Sequence, residues 1–245
     1  MPTTHTARVK MSAPRDAGRA PHFSPHPSAV TEATAWEVAY QRFETPEQER
    51  RKFLRRLRSL GAHRWDRRTG VLEICSGRGS GLVVWRALGF RDVYGLDLSV
   101  ALVMASDLHR SSVVGDARRL PFRTASRDVA IVQGGLHHLP EFDDVRAALA
   151  EMRRVLKPDG RVIIIEPWLT PFLRVVHFVT AQPLARAMSN TLDAFAAMTD
   201  EERPTYEAWL ARRDQILATV AVDFEPVVVR KRWGKLVFVG RPRPR

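Results

Sequence analysis

Residues 71–81 read Val-Leu-Glu-Ile-Cys-Ser-Gly-Arg-Gly-Ser-Gly, and an apolar-periodic segment from Leu82 to Leu88 follows at once. An apolar run that breaks into three glycines spaced by two, then resumes with helical periodicity, reads as a buried strand, a tight loop and a helix. Glycine carries no side chain and reaches φ angles other residues avoid, so a ligand can lie directly on such a backbone. The spacing also disposes of one ligand class. A dinucleotide fingerprint needs Gly or Ala three residues after its second glycine. Counted from Gly77 that position is Leu82, and from Gly79 it is Val84. The dehydrogenase reading falls.

From residue 70 onward the alternation of strand and helix patterns is regular. Strands are predicted at 70–75, 92–97, 112–116, 128–133 and 160–166, with helices near 80–88, 99–108 and 141–156. Continuous apolar runs such as Val129–Val132 and Val162–Ile165 suit central parallel strands covered on both faces. Right-handed βαβ units and a doubly wound α/β sheet follow. Val227–Val239 predicts two closing antiparallel strands around a Trp-Gly turn. Residues 31–69 predict N-terminal helices. One covers Trp36–Phe43, and a second opens at Thr45-Pro46-Glu47-Gln48 with a capping box, buries Phe53, Leu54, Leu57 and Leu60, and stops at Gly61. Residues 1–30 mix Pro, Ser, Thr, His and Arg without period and read as a disordered tail, within which Met11 offers a second start. Residues 168–222 offer two or three helices, including Leu173–Met188 and Tyr206–Val220, and are expected to cap the carboxyl ends of the strands.

Composition narrows the class. A single cysteine, Cys75, forms no internal disulfide. No apolar run reaches the roughly 18–20 residues of a membrane span, and no signal-peptide core is visible, so a cytoplasmic protein is expected. The net charge of +12 invites a polyanion partner, but 34 of the 39 basic residues are arginine, a skew of GC-rich coding. The densest cluster, Arg50, Arg51, Lys52, Arg55, Arg56, Arg58, Arg64, Arg67 and Arg68, is read as a solvated helix face. Nucleic acid is therefore not the expected partner.

The acidic-x-Gly-x-Gly-x-Gly pattern over Glu73–Gly79 resembles motif I of the class I S-adenosylmethionine-dependent methyltransferases, with Cys75 where the first glycine is usual. Asp97 ends the second strand 20 positions after Gly77, the spacing at which a carboxylate accepts both ribose hydroxyls of a nucleoside. Asp116 ends the third strand, where the family's Asp faces the adenine amine. Ser126–Leu139 and Arg154–Gly160 match the family's fourth strand and the turn before its fifth. The resemblance is to the small-molecule branch, broadly the ubiquinone- and menaquinone-pathway enzymes. It implies a Rossmann-like, mostly parallel seven-stranded sheet over 70–240 with a helical cap insertion. The implied cofactor is S-adenosyl-L-methionine, and its implied binding set is Glu73, Cys75, Ser76, Gly77, Gly79, Asp97, Leu98, Asp116, Ala117 and Gln133. No metal is implied.

Methyl transfer from a sulfonium asks mainly for positioning and exclusion of water. A base is needed where the acceptor is a neutral hydroxyl or an acidic carbon. His137 and His138, after the fourth strand, and Glu166, ending the fifth, are the expected catalytic residues, with packing or helix capping as their alternative. Trp168 and Phe172 are candidates for lining the acceptor pocket. Two other readings stay open: an RNA methyltransferase using helix 50–68, which lacks the Asn/Asp-Pro-Pro-aromatic signature because Gln133-Gly134-Gly135-Leu136 stands there, and a non-catalytic cofactor-binding protein.

Overall fold

The computed structural model describes residues 35–244. The tail expected over 1–30 lies outside them. Two helices come first, α1 (Ala35–Phe43) and α2 (Pro46–Ser59). Thr45 caps α2 as its sequence predicts: its hydroxyl accepts from the Gln48 N–H, and the Gln48 side chain accepts from the Thr45 N–H. Leu60 closes the helix and Gly61, at φ +78°, turns the chain out of it. Phe53 and Leu57 are fully buried while Leu54 and Leu60 pack at the edge of the same core.

The sheet contains β1 (Val71–Ile74), β2 (Val93–Asp97), β3 (Ser112–Val114), β4 (Arg127–Gln133), β5 (Leu156–Pro167), β6 (Phe224–Arg232) and β7 (Lys235–Pro242). The spatial order is β3-β2-β1-β4-β5-β7-β6, parallel except for β7, which runs antiparallel between β5 and β6. Helices α3 (Ser80–Ala87), α4 (Val100–Met104) and α5 (Phe142–Val155) make the crossovers. Alternation along β1 splits the core in two. Leu72 and Ile74 face a cluster with α5, whereas Val71 faces α2 and α3. The order reverses between β1 and β4, so the crevice opens at the carboxyl ends of these strands. Ile74 is in register with Leu96 and Val132, and Gln133 with Ile165, so Cys75, Asp97, Gly134 and Glu166 emerge side by side.

Residues 168–222 fold into five helices rather than two or three: α6 (Pro171–Thr180), α7 (Pro183–Met188), α8 (Asn190–Glu201), α9 (Arg203–Ala211) and α10 (Arg213–Asp223). Pro183 has no N–H to donate and starts α7, which divides the helix expected over 173–188. The second division falls at Arg212, whose N–H is shared between the Ala208 and Trp209 carbonyls as α9 ends. The insertion has two roles in packing. Ile216 and Val220 of α10 belong to the main core, against α5 and β6. Helix α9 lies instead on the turn after β4, and α8 lies against α1. No helix among the described residues is long and apolar enough to cross a membrane.

Candidate functional site at the strand tips

The glycine loop leaves β1 through three left-handed residues: Cys75 at φ +55°, Gly77 at +53° and Gly79 at +75°. Cys75 thus holds the backbone angle that glycine adopts without strain. Its side chain is accommodated by Gly135 across the cleft, where an added Cβ would stand 2.5 Å from the Cys75 sulfur. Burial and the surrounding carboxylates push the Cys75 thiol far up, so it stays protonated. The Gly77 N–H donates to Asp97 Oδ2 at 2.7 Å, and Asp97 Oδ1 accepts from the Ser99 N–H at 2.9 Å. Loop and second strand are therefore tied together by one carboxylate. A Cβ on Gly77 would meet nothing within 4 Å, which leaves this backbone open to a ligand.

The remaining residues expected at the cofactor are placed unequally. Ser76 is buried against Gly95, and Leu98 is 72% exposed beside Asp97. Glu73 lies beneath the loop: a Cβ on Gly81, in the first turn of α3, would meet its carboxylate. Burial pushes the Glu73 carboxyl up to about 8, so it is neutral at pH 7. Asp116 is gripped by Arg118, which donates from its backbone at 2.8 Å and from its guanidinium at 2.6–3.0 Å. Those bonds hold the Asp116 carboxyl below its usual range, while Ala117 is buried in the core. Gln133, at the tip of β4, accepts from Arg56 Nη1 at 2.5 Å.

Sequence reasoning missed the latch that closes this half. Arg78, at the loop tip, donates to Glu49 at 3.0 Å and to the Glu44 carbonyl at 2.7 Å, with its guanidinium 4.8 Å above the Tyr40 ring. The Tyr40 hydroxyl donates to the other Glu49 oxygen at 2.7 Å. Helices α1 and α2 are thereby fastened over the glycine loop. The basic helix face is correspondingly less open than expected: Arg56 is turned inward to Gln133, and Arg50 pairs with Asp107. Phe53 and Trp65 pack against Trp85 and offer no stacking surface for bases.

On the tips of β4 and β5, Glu166 is fully buried and organises the neighbouring turn. Its Oε1 accepts from the Gly135 and Leu136 N–H groups at 2.9 and 3.0 Å, and its Oε2 is 2.7 Å from His137 Nδ1. Burial opposes its charge, but His137 and these N–H groups hold the carboxyl below its ordinary value. The other nitrogen of His137 stands 3.5 Å from Glu202, and Glu202 lies 2.6 Å from His138 Nδ1. Glu202 belongs to α8's end, so this network joins the sheet to the insertion. Burial works against an imidazolium at His137, and its two carboxylate partners outweigh it, pushing the pKa up to about 9. Glu202 is pulled down to about 2 against burial by the two histidines. His137 is thus a donor at neutral pH. His138 is the member with open surface, 33% against 6% for His137. The ligand atoms of His137, His138 and Glu202 also lie within 4.8 Å of one another, a spacing that a divalent ion accepts.

Flat side chains continue from this network. Tyr206 and Trp209 have ring centres 5.8 and 6.4 Å from His137, the Tyr206 hydroxyl is 3.0 Å from His177, and His177 stacks on Phe195, which touches Phe43 of α1. Trp168 and Phe172 are not in this row. Trp168 is 4% exposed in the main core, and Phe172 faces outward against Trp233. Lys235, opposite Pro167 at the start of β7, was also missed; burial and Arg56 push its ammonium down to about 8. These partners are separated by tens of residues and leave no short motif.

Comparison with known proteins adds to this geometry. A family model described as a methyltransferase domain matches residues 72–164. A demethylmenaquinone methyltransferase of Renibacterium salmoninarum is 30% identical over 181 residues, covering 70% of this chain and 73% of that protein. Another, of Beutenbergia cavernae, is 32% identical over 157 residues. That match covers 60% of this chain and 62% of the relative's own length, less than two thirds. Among solved structures, the PH0226 protein of Pyrococcus horikoshii superposes with a TM-score of 0.64 at 18% identity, covering 86% of this chain and all of that one, which is a likeness of fold.

Proposed function

The chain belongs to the S-adenosylmethionine-dependent methyltransferases, and on that premise we propose that it methylates a small, flat, hydroxylated aromatic acceptor held between the strand tips and helices α6–α9. One observation carries the reading. The glycine loop tied to Asp97 and the network Glu166–His137–Glu202–His138 stand on neighbouring strand tips of one sheet. When bound, S-adenosylmethionine supplies a methyl group activated by a sulfonium. Cys75, Ser76, Gly77 and Gly79 would cradle it through their backbone, and Asp97 would take the ribose hydroxyls. Asp116 would meet the adenine amine while Arg118 keeps part of its carboxylate, and Leu98 and Ala117 would flank the base. Glu73 would support the loop from below, and Gln133, held by Arg56, would border the cofactor's other end. Helices α1 and α2, latched on Arg78, exclude water and fix the geometry of approach.

On the acceptor side, Glu166 holds the turn and His137 donates from both nitrogens. His138 with Glu202 is the pair placed to take the proton that a hydroxyl or ring carbon must lose. The aromatic row from Phe195 to Trp209 supports a flat acceptor, and relatives named for demethylmenaquinone agree with it. In domain terms, the described residues of the 31–69 segment, from Ala35 on, would form the lid and 70–240 the catalytic domain, with 168–222 as both cap and core. The reading is tested by thermal shift. S-adenosylhomocysteine should raise the melting temperature, because a ligand that binds only the folded state stabilises it by mass action, and NAD should not. A shift with NAD and none with the adenosyl compound would overturn it.

A further inference from the structure

The two longest stretches of the given sequence without an acidic residue, although it has 27, are residues 167–192 and 226–245. The fold brings them together. The Trp168 N–H donates to the Gly234 carbonyl at 2.8 Å, the Gly234 N–H donates to the Thr170 hydroxyl at 3.0 Å, and the Phe172 and Trp233 rings meet edge to face at 5.3 Å. Eight of the twelve large apolar side chains exposed among the described residues come from these two stretches, so they are concentrated rather than scattered. Phe172, Val175 and Phe178 project from the outer side of α6, Leu184 and Met188 from α7, and Trp233 from the hairpin tip. Arg174, Arg230, Lys231 and Arg232 are exposed around them, and none pairs with a carboxylate among the described residues.

Trp233 adds an independent mark. The turn between β6 and β7 has two residues, Trp233 at φ +54° and Gly234 at φ +71°, with Arg232 and Lys235 in register on either side. That is the hairpin turn which Asn-Gly fits best, and a bulky side chain there is strained. A strained aromatic that is also 62% exposed makes no sense for stability. At a water–lipid boundary it has a reason, because indole rings settle at that level and flanking cations meet anionic head groups.

We infer that the face formed by α6, α7 and the β6–β7 tip docks onto an anionic lipid bilayer, with Trp233, Phe172 and Phe178 entering the interface and Arg174, Arg230, Lys231 and Arg232 on the head groups. The sign of the charge and the protruding tip select a lipid surface over a second copy of this cationic chain.

The test is co-sedimentation of the full chain with vesicles of phosphatidylcholine alone or with about a third phosphatidylglycerol. Binding should require the anionic lipid and weaken with salt. Neutralising three cations together (R230Q, K231Q, R232Q) should lower it about 100-fold, at roughly fivefold per charge. Trp233→Asn should lower it at least about tenfold, the loss of one buried aromatic, without lowering the melting temperature, since Asn suits the turn. Calorimetry with S-adenosylhomocysteine should read the same affinity in all variants, which separates this face from the cofactor site. Sedimentation with uncharged vesicles alone, or binding unchanged in both variants, would overturn the inference. So would a Trp233-dependent dimer in sedimentation velocity with no vesicle binding.

Discussion

The cofactor half and the acceptor half of this molecule are built by different rules. Around the glycine loop, the backbone frame rests on contacts that are short in sequence or follow from strand register, Thr45 with Gln48, Ser99 with Leu102 and Asp97 with Ser99, and the longer-range Arg78 latch is added on top of it. Around His137 the partners are remote. Glu166 is 29 residues away, Glu202 enters from the end of α8, and Arg42 of α1 pairs with Asp193, 151 residues on. The first half is a preformed cradle. The second is assembled by a network of buried charges that exists only once the insertion has folded onto the sheet, so stability and activity should part company differently in the two halves.

The sharpest test of that contrast is Glu166. Replacing it by Gln leaves His137 and two backbone N–H groups facing a neutral amide, and breaking a buried pair this way costs about 3–5 kcal/mol of stability. Denaturant unfolding should show that loss, whereas His138→Ala should keep the fold and reduce single-turnover rate at least about a hundredfold. A Glu166→Gln protein of normal stability and low turnover would make Glu166 the base and erase the distinction. On the other side, Asp97→Ala should weaken S-adenosylhomocysteine by about 2–4 kcal/mol, the scale for removing a charged acceptor at a nearly closed site. Circular dichroism should be unchanged. An unaltered dissociation constant would move the cradle away from Asp97.

Within a single pH unit the effect is smaller at Glu73, which burial raises from 4.5 to about 8. Below pH 4.5 it is protonated in both states and its contribution is complete. Between about 4.5 and 8 only the unfolded chain ionises, so stability should fall by up to about 1.4 kcal/mol per pH unit and level off above 8. Glu73→Gln should flatten that slope in urea titrations at several pH values. An equal slope in the variant would show that the Glu73 charge is accommodated. Smallest is the latch. Glu49→Gln should cost about 1 kcal/mol, because the Arg78–Glu49 pair is largely but not fully covered. Hydrogen exchange should then quicken in α1 and α2 and not in α9.

How far the site could be read in the sequence follows from the same contrast. The place of Asp97 at the end of β2 was legible because strand length and loop spacing fix where a strand ends. Cys75 was legible as a departure, but its remedy, the empty space at Gly135, is 60 residues away and silent in the motif. Arg56 looked like one more solvated cation on a basic helix, and only packing turned it onto Gln133. Trp168 and Phe172 were aromatic and near the right strand, yet Trp168, in the connection between β5 and α6, is core and Phe172, in the first turn of α6, faces outward, a distinction that composition does not carry.

The sequence alone determined the parallel sheet, its closing hairpin, the glycine loop and the capping of α2, because these depend on side-chain period, glycine's φ freedom and local hydrogen bonds. Tertiary structure alone decided which ionisable groups share protons, which helices cover the loop and which aromatics meet the solvent. Those outcomes are set by desolvation and by contacts between segments distant in the chain, and neither quantity exists until the chain has folded.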